Sequence, residues 1–242
     1  MDLYEKLKEY FTGLAREKGI ENEEIEVSFR LLEGIDVLGE TSRKDYPLLT
    51  GKEKMLEAEF GGAKGQAFTL AGSVFHGTIQ DIMKLDLEKE YDRGIFVAAL
   101  NAVMKHFNLI SGTIHCKGEE PEECAGELTK KFSEKKDKRI AVIGFQPAFI
   151  EALAKADFNI RVLDLNPENI GSDRLGVLIE DGVKEYEDVV DWAEVILCTG
   201  STIVNGTIKD YIDLNKDVYF YGNTIAGPAK VLGLNRICCK AV

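Results

Sequence analysis

The chain has 242 residues, 45% of them hydrophobic and 30% charged, and a formal net charge of −12. That length suits one large domain or two modest ones, with enough apolar residues for a core that needs no covalent staples. The acidic balance repels nucleic-acid phosphate and no apolar run reaches the length of a membrane span, so nucleic acid and membrane are both discounted as partners.

Five cysteines are present, two of them adjacent at Cys238 and Cys239, without the spaced pattern of a disulfide framework. The N-terminal stretch is charged and lacks the apolar core of a secretion signal. A reducing, cytoplasmic setting is expected.

Leu3, Leu7, Tyr10, Phe11 and Leu14 recur at helical spacing, and Gly19 supplies a stop, which predicts a helix over residues 2–18. Alternating segments follow at Ile25, Val27, Phe29 and Leu31, at Ile35 and Val37, over 55–60 and over 66–69, with Gly34 and the Gly61–Gly62 pair as turns. They predict an antiparallel meander. Helices are predicted over 78–85 and 92–107, the second apolar enough to lie buried against the sheet. Helix, meander and helices together make an α+β unit over residues 1–112.

Residues 113–137 change character. Pro121 suits a first helical turn, acids crowd that end and lysines the other, which complements a helix dipole and predicts a solvated connector helix. From residue 138 strands and helices alternate. Strands are predicted at 139–143, 159–163, 194–198, 218–221 and 236–239, and helices at 147–156, 186–193, 206–214 and 226–232. This rhythm predicts an α/β domain over 138–242 with a parallel, Rossmann-like sheet whose strand carboxyl ends share one edge.

Ligands bind beyond that edge. The first loop, Gly144–Phe145–Gln146–Pro147, lacks two of the three glycines of a dinucleotide fingerprint, and Pro147 has no N–H for a phosphate. No conventional NAD site is expected. Asp164 nevertheless stands 20 positions after Gly144, where a ribose-binding acid belongs; it either binds a nucleoside-like ligand or caps its own loop, where Asn166 follows. The third loop offers Gly200, Ser201, Thr202, Asn205, Gly206 and Thr207 ahead of the predicted 206–214 helix, a position that welcomes an anionic group; simple N-capping is the alternative. A fourth loop contributes Thr224. The first unit contributes Asn101, an amide in an apolar stretch that must find partners, and Lys64 on a glycine-rich turn. His115, Cys116 and Cys124, with Glu119 and Glu120 near them, offer borderline and soft metal ligands without the paired spacing of a metal motif. Cys198 sits at a strand end with no histidine near it in sequence to activate it.

Seven strings, GKEKMLEAEFGGAKGQAFT, GIFVAALNAVM, HCKGEEPEECA, VIGFQPAF, DLNPENIG, TGSTIVNGT and YGNTIAGPAKVLGL, occur in this order along nearly the whole chain. Together they resemble the putative heavy-metal chelation family, formerly a domain of unknown function. The resemblance implies an N-terminal domain similar to the enolase N-terminal fold, a Rossmann-like domain after it, and a site where the two meet. It also implies a role with pterin-, flavin- or siderophore-like molecules and in heavy-metal chelation.

The leading expectation is a protein that binds or transforms a small metabolite of that kind in the interdomain cleft. A non-catalytic metal- or metallophore-binding protein is the first alternative, and it requires His115, Cys116 and Cys124 to converge, with Cys238 and Cys239 as further candidates. An S-adenosylmethionine-dependent methyltransferase with Asp164 on the ribose is the second. A homodimer stands as a further expectation.

Overall fold

The computed structural model describes residues 2–30, 39–46, 54–70 and 74–242. The expected turn at Gly34 and the segments at Leu31, Ile35 and Val37 lie outside these residues. Helix α1 (Leu3–Lys18) opens on a capping box between Asp2 and Glu5 and ends at Gly19, whose φ of 67° only glycine adopts without penalty. Its buried face carries Leu3, Leu7, Phe11 and Leu14, as the spacing requires.

Strands β1 (Glu24–Arg30), β2 (Lys54–Phe60), β3 (Ala63–Thr69) and β4 (Phe75–Thr78) form an antiparallel sheet in the order β3-β2-β1-β4. Gly61 and Gly62 both take positive φ, 55° and 78°, so the β2–β3 hairpin closes on a two-residue turn matched to strand twist. The helix predicted over 78–85 is shorter. Residues 75–78 are strand, and Thr78 caps α2 (Ile79–Met83) by accepting from Asp81 N–H. Helix α3 (Glu90–His106) is buried from Arg93 through Met104 and lies across the sheet. At Gly65 the strand touches the helix so closely that a Cβ would stand 2.2 Å from Ala102 N.

The connector is helical only as α4 (Glu120–Lys131). It is less solvated than expected, because Pro121, Cys124, Ala125 and Leu128 are buried against the parallel half. Residues ahead of α4 are extended, and Ile114 exchanges both backbone hydrogen bonds with Val242 at 2.9 and 3.1 Å, an antiparallel pairing with the C-terminal tail.

The second sheet has seven strands in the order β11-β10-β9-β5-β6-β8-β7. They are β5 (Arg139–Ile143), β6 (Asn159–Asp164), β7 (Asp173–Arg174), β8 (Val177–Asp181), β9 (Val195–Thr199), β10 (Asp217–Tyr221) and β11 (Arg236–Ile237). All pairings are parallel except β7 with β8. Helices α5 (Pro147–Lys155), α6 (Tyr186–Trp192), α7 (Thr202–Asn205) and α8 (Ala226–Leu232) connect the strands. In β5, Ile140 and Val142 join the apolar cluster of α4 and α5, while Ala141 and Ile143 join the cluster of α1, α3, α6 and α8. Both faces are therefore covered, as continuous apolar strands require. The second cluster runs unbroken into the antiparallel half, so the two halves share a core.

Three stretches of the parallel half differ from expectation. Strands β7 and β8 fill the stretch between Asp164 and α6 that had been given no structure. The last strand stops at Ile237 rather than residue 239. The helix expected over 206–214 is replaced by α7, which ends at Gly206 with φ 93°, and by a 3₁₀ turn at Thr207–Asp210. No described helix is long and apolar enough to cross a membrane.

Candidate functional site

The chain starts the parallel sheet at β5, builds outward through β6 and β8, then returns to place β9 on the other side of β5. The strand order thus reverses between β5 and β9. Connections leaving in opposite directions open a crevice beyond the carboxyl ends of those two strands. A cavity of about 810 Å³ occupies that position, within the size range of small-molecule sites. Its floor is the ends of β5, β6, β9 and β10, and Phe68, Thr69 and Leu70 of β3 and its exit wall it from the antiparallel half.

Of the sequence-predicted residues, Gly144, Phe145, Gln146, Pro147, Asp164, Asn166, Gly200, Ser201, Thr202, Asn205, Thr207 and Thr224 all line this one cavity. Gly144 takes a φ of 92°, and a Cβ there would meet Thr199 Cγ2 at 2.8 Å, so the turn off β5 requires glycine. Asp164 serves its own loops. Its Oδ2 accepts from Phe145 N–H at 2.7 Å, and its Oδ1 accepts from Asn166 N–H at 2.8 Å and from the Asn169 amide at 3.2 Å. Gln146 caps α5 by accepting from Phe149 N–H. Tyr221, which sequence reading did not single out, donates its hydroxyl to the carbonyl of Ile143 and ties β10 to the end of β5.

The third loop lines the cavity, but the long helix expected to follow it and to favour an anion is absent. Helix α7 has four residues, too short to present an aligned dipole. Its hydroxyls and amide turn inward: Thr202 donates to Thr199 C=O at 2.7 Å, and Asn205 Oδ1 accepts from both the N–H and hydroxyl of Thr207. The free carbonyls at its end are held from the other half. Tyr4 donates to Ile203 C=O at 2.9 Å, and the buried Arg93 guanidinium donates to Val204 C=O. Neither residue was legible as a site element, because a Tyr in an amphipathic helix and an Arg after an acidic turn read as ordinary surface patterning. Gly206 lies in this turn but not on the cavity wall.

Asn101 and Lys64 sit away from the cavity wall. The Asn101 side chain is fully buried, donates to the carbonyls of Gln66 and Thr224 at 3.0 Å each, and accepts from Gly227 N–H at 2.7 Å. It joins β3 to the loop after β10. The Lys64 ammonium bonds Glu57 at 2.7 Å. Glu57 in turn accepts from Gln66, whose Oε1 receives His115 N–H and the Asn223 amide. Asn223 is 1% exposed, lies on the cavity wall, and its Oδ1 has no hydrogen-bond partner among the described residues.

His115, Cys116 and Cys124 border the same cavity, with Cys238 of the C-terminal tail. His115 Nδ1 is 2.6 Å from Cys116 C=O, which can only accept, so Nδ1 carries the proton. Burial pulls the His115 pKa down, keeping the ring neutral. Burial and the neighbouring Cys238 and Cys124 thiols push Cys116 up to about 12, and burial and Cys124 do the same for Cys239. Cys198, fully buried at the end of β9, is likewise raised by burial, which removes it as a nucleophile. Glu119 accepts from Ser42, and Glu120 accepts from Lys117 N–H. Among the described residues, no three His, Cys, Asp or Glu side chains are arranged to hold a metal ion. One consequence is measurable. Alkylation of the exposed Cys239 by iodoacetamide at pH 8 should be at least about tenfold slower than that of a free cysteine, and should still be rising above pH 10. A plateau near pH 9.5, read by mass spectrometry, contradicts that.

Residues 127–229 match the family described as "Putative heavy-metal chelation", DUF364. The matched segment is a little under half of the chain. The fold extends the likeness: a DUF364 protein of unknown function from Pyrococcus horikoshii aligns with a TM-score of 0.59 at 22% identity, over 92% of this chain and 80% of that one. A second DUF364 protein of unknown function, from Desulfitobacterium hafniense, aligns with a TM-score of 0.51 at 12% identity, over 74% of this chain and 72% of that one. No curated protein matches the sequence. The DUF364 segment contains every loop of the cavity floor from Gly144 to Thr224. Cys116, Cys124, Cys238 and Cys239 lie outside it.

Proposed function

We propose that the cavity between the halves binds a small, flat organic metabolite of pterin, flavin or siderophore type, and that this is the activity of the chain. In this reading residues 1–112 act as an enolase N-terminal-like domain, 113–137 as the connector and 138–242 as a Rossmann-like domain. The observation that carries the reading is the convergence of four strand-end loops on one cavity at the reversal of strand order, roofed by the other half. Its walls include Phe68, Phe145, Phe149 and Tyr221, rings able to stack on a heterocycle, with the Asn223 amide beside them for its polar edge.

The first loop supports a ligand other than a dinucleotide. Pro147 starts α5, and Phe145 N–H, the amide nearest a would-be phosphate, is spent on Asp164. The same bond occupies the carboxylate that an S-adenosyl ribose would need.

Thermal denaturation with a panel of pterins, flavins, S-adenosyl compounds and catechol or hydroxamate chelators tests the reading. A ligand at a hundredfold its Kd should raise the melting temperature by roughly 5–10 °C. No shift from any pterin, flavin or chelator would overturn it.

A further inference from the structure

Asn223 is 1% exposed on the cavity wall, and the facing of its amide is fixed by its neighbours. His115 N–H can only donate, so the Gln66 atom it meets at 2.8 Å is the oxygen. The Gln66 nitrogen faces Glu57 Oε2 at 2.8 Å, and the Lys64 ammonium holds the other oxygen of that carboxylate at 2.7 Å. The Asn223 nitrogen then lies 3.3 Å from Gln66 Oε1 and 3.4 Å from the carbonyl of Thr113, two oxygens that only accept. Turning the amide over would set oxygen against oxygen twice. Asn223 Oδ1 is therefore left as a buried acceptor with no partner among the described residues. A buried acceptor calls for a donor.

Charge points the same way. Among the described residues the cavity wall carries three carboxylates, Glu90, Asp164 and Asp210, and no lysine or arginine. Two guanidiniums stack on rings of the wall, Arg174 over Phe145 at 5.4 Å and Arg43 over Tyr46 at 5.8 Å, but neither is on the wall itself. Arg43 is already paired with Asp45, Glu122 and Glu151. The net charge of −12 adds a field of the same sign. A phosphate or carboxylate entering here would meet like charge and no counter-ion.

We propose that the ligand is an amino-heterocycle or lactam, uncharged or cationic, that donates an N–H to Asn223 Oδ1; this rests on the cavity reading above. Within the pterin and flavin types it selects the bare ring systems over their phosphorylated or carboxylated forms.

Fluorescence titration of the full-length protein with three acridines tests this. Proflavine is a flat cation with two exocyclic amines, acridine orange is the same cation with those amines methylated, and acridine-9-carboxylate is an anion at neutral pH. Proflavine should bind saturably, and acridine-9-carboxylate at least about tenfold more weakly. Methylation should cost roughly tenfold, and Asn223→Leu, shown by circular dichroism to be folded, should bind the two cationic dyes alike. Asp210→Lys, at an exposed position, should weaken proflavine by about fivefold or more. Glu9→Lys, exposed on α1 and equal in its change of net charge, should not. Where Asn223→Leu does not fold, this pair decides, and equal affinities of the two lysine variants overturn the proposal. Acridine-9-carboxylate binding as tightly as proflavine, unchanged discrimination in folded Asn223→Leu, or no binding by any acridine also overturns it. The cavity reading falls separately, only if no compound of the thermal panel shifts the melting temperature.

Discussion

Asn101→Leu is expected to lower the unfolding free energy by roughly 3–5 kcal/mol, because it strips partners from up to three buried backbone groups at about 1–3 kcal/mol each. Those groups are the carbonyls of Gln66 and Thr224 and the N–H of Gly227. They belong to different halves, so the damage falls on the joint and not on either sheet. A leucine fills nearly the same volume, which separates the hydrogen-bond effect from a cavity effect. The melting temperature should fall by roughly 10 °C in a chain of this size. Urea denaturation giving a loss below about 1 kcal/mol would show that the halves do not depend on this amide.

The second large effect is expected at Gly65. A Cβ there would stand 2.2 Å from Ala102 N, 2.5 Å from Ala98 O and 2.7 Å from Asn101 C, all backbone atoms of α3. No rotamer change relieves such contacts. The helix must move off β3, and Asn101 moves with it. Gly65→Ala should therefore exceed the roughly 1–3 kcal/mol usual for overpacking, and loss of soluble protein is the expected extreme. Gly13→Ala in the middle of α1 is the matched control. Nothing lies within 4 Å of its Cβ position, so it should stabilise by about 0.5–1 kcal/mol. Equal melting temperatures for Gly65→Ala and Gly13→Ala would contradict the close packing of strand and helix.

The parts of the fold legible in the sequence are those where burial imposes a period. Helix α8 was read with its observed ends, and β5, β6 and β9 within one residue, because apolar runs flanked by glycine and charge leave little choice. Strands β7 and β8 were missed because Leu165, Leu175, Leu178 and Val183 are exposed and give that stretch no buried rhythm. The helix over 206–214 was overextended because Ile208, Tyr211 and Ile212 mimic helical spacing, whereas Gly206 at φ 93° has already broken the chain.

The cavity floor was legible for a related reason: strand-end loops of a parallel sheet must meet, so naming the loops named most of its wall. The bonds between the halves were not. Asn101 stood out as a buried amide, but its partners come from residues 66, 224 and 227, and one sequence carries no sign of which distant carbonyls it will meet. The convergence of Cys116 and Cys124 with the tail was open for the same reason, since it depends on the pairing of Ile114 with Val242.

The central claim is that an organic ligand sits at the reversal of strand order between β5 and β9. An amide ¹H–¹⁵N spectrum titrated with the best-shifting compound from the thermal panel tests it most directly. The account predicts perturbations concentrated at Gly144, Phe145, Gly200, Ser201, Gly222 and Asn223, with β4 and the outer face of α1 unmoved. Saturable perturbations confined elsewhere on the molecule, with those six amides unchanged, would contradict it.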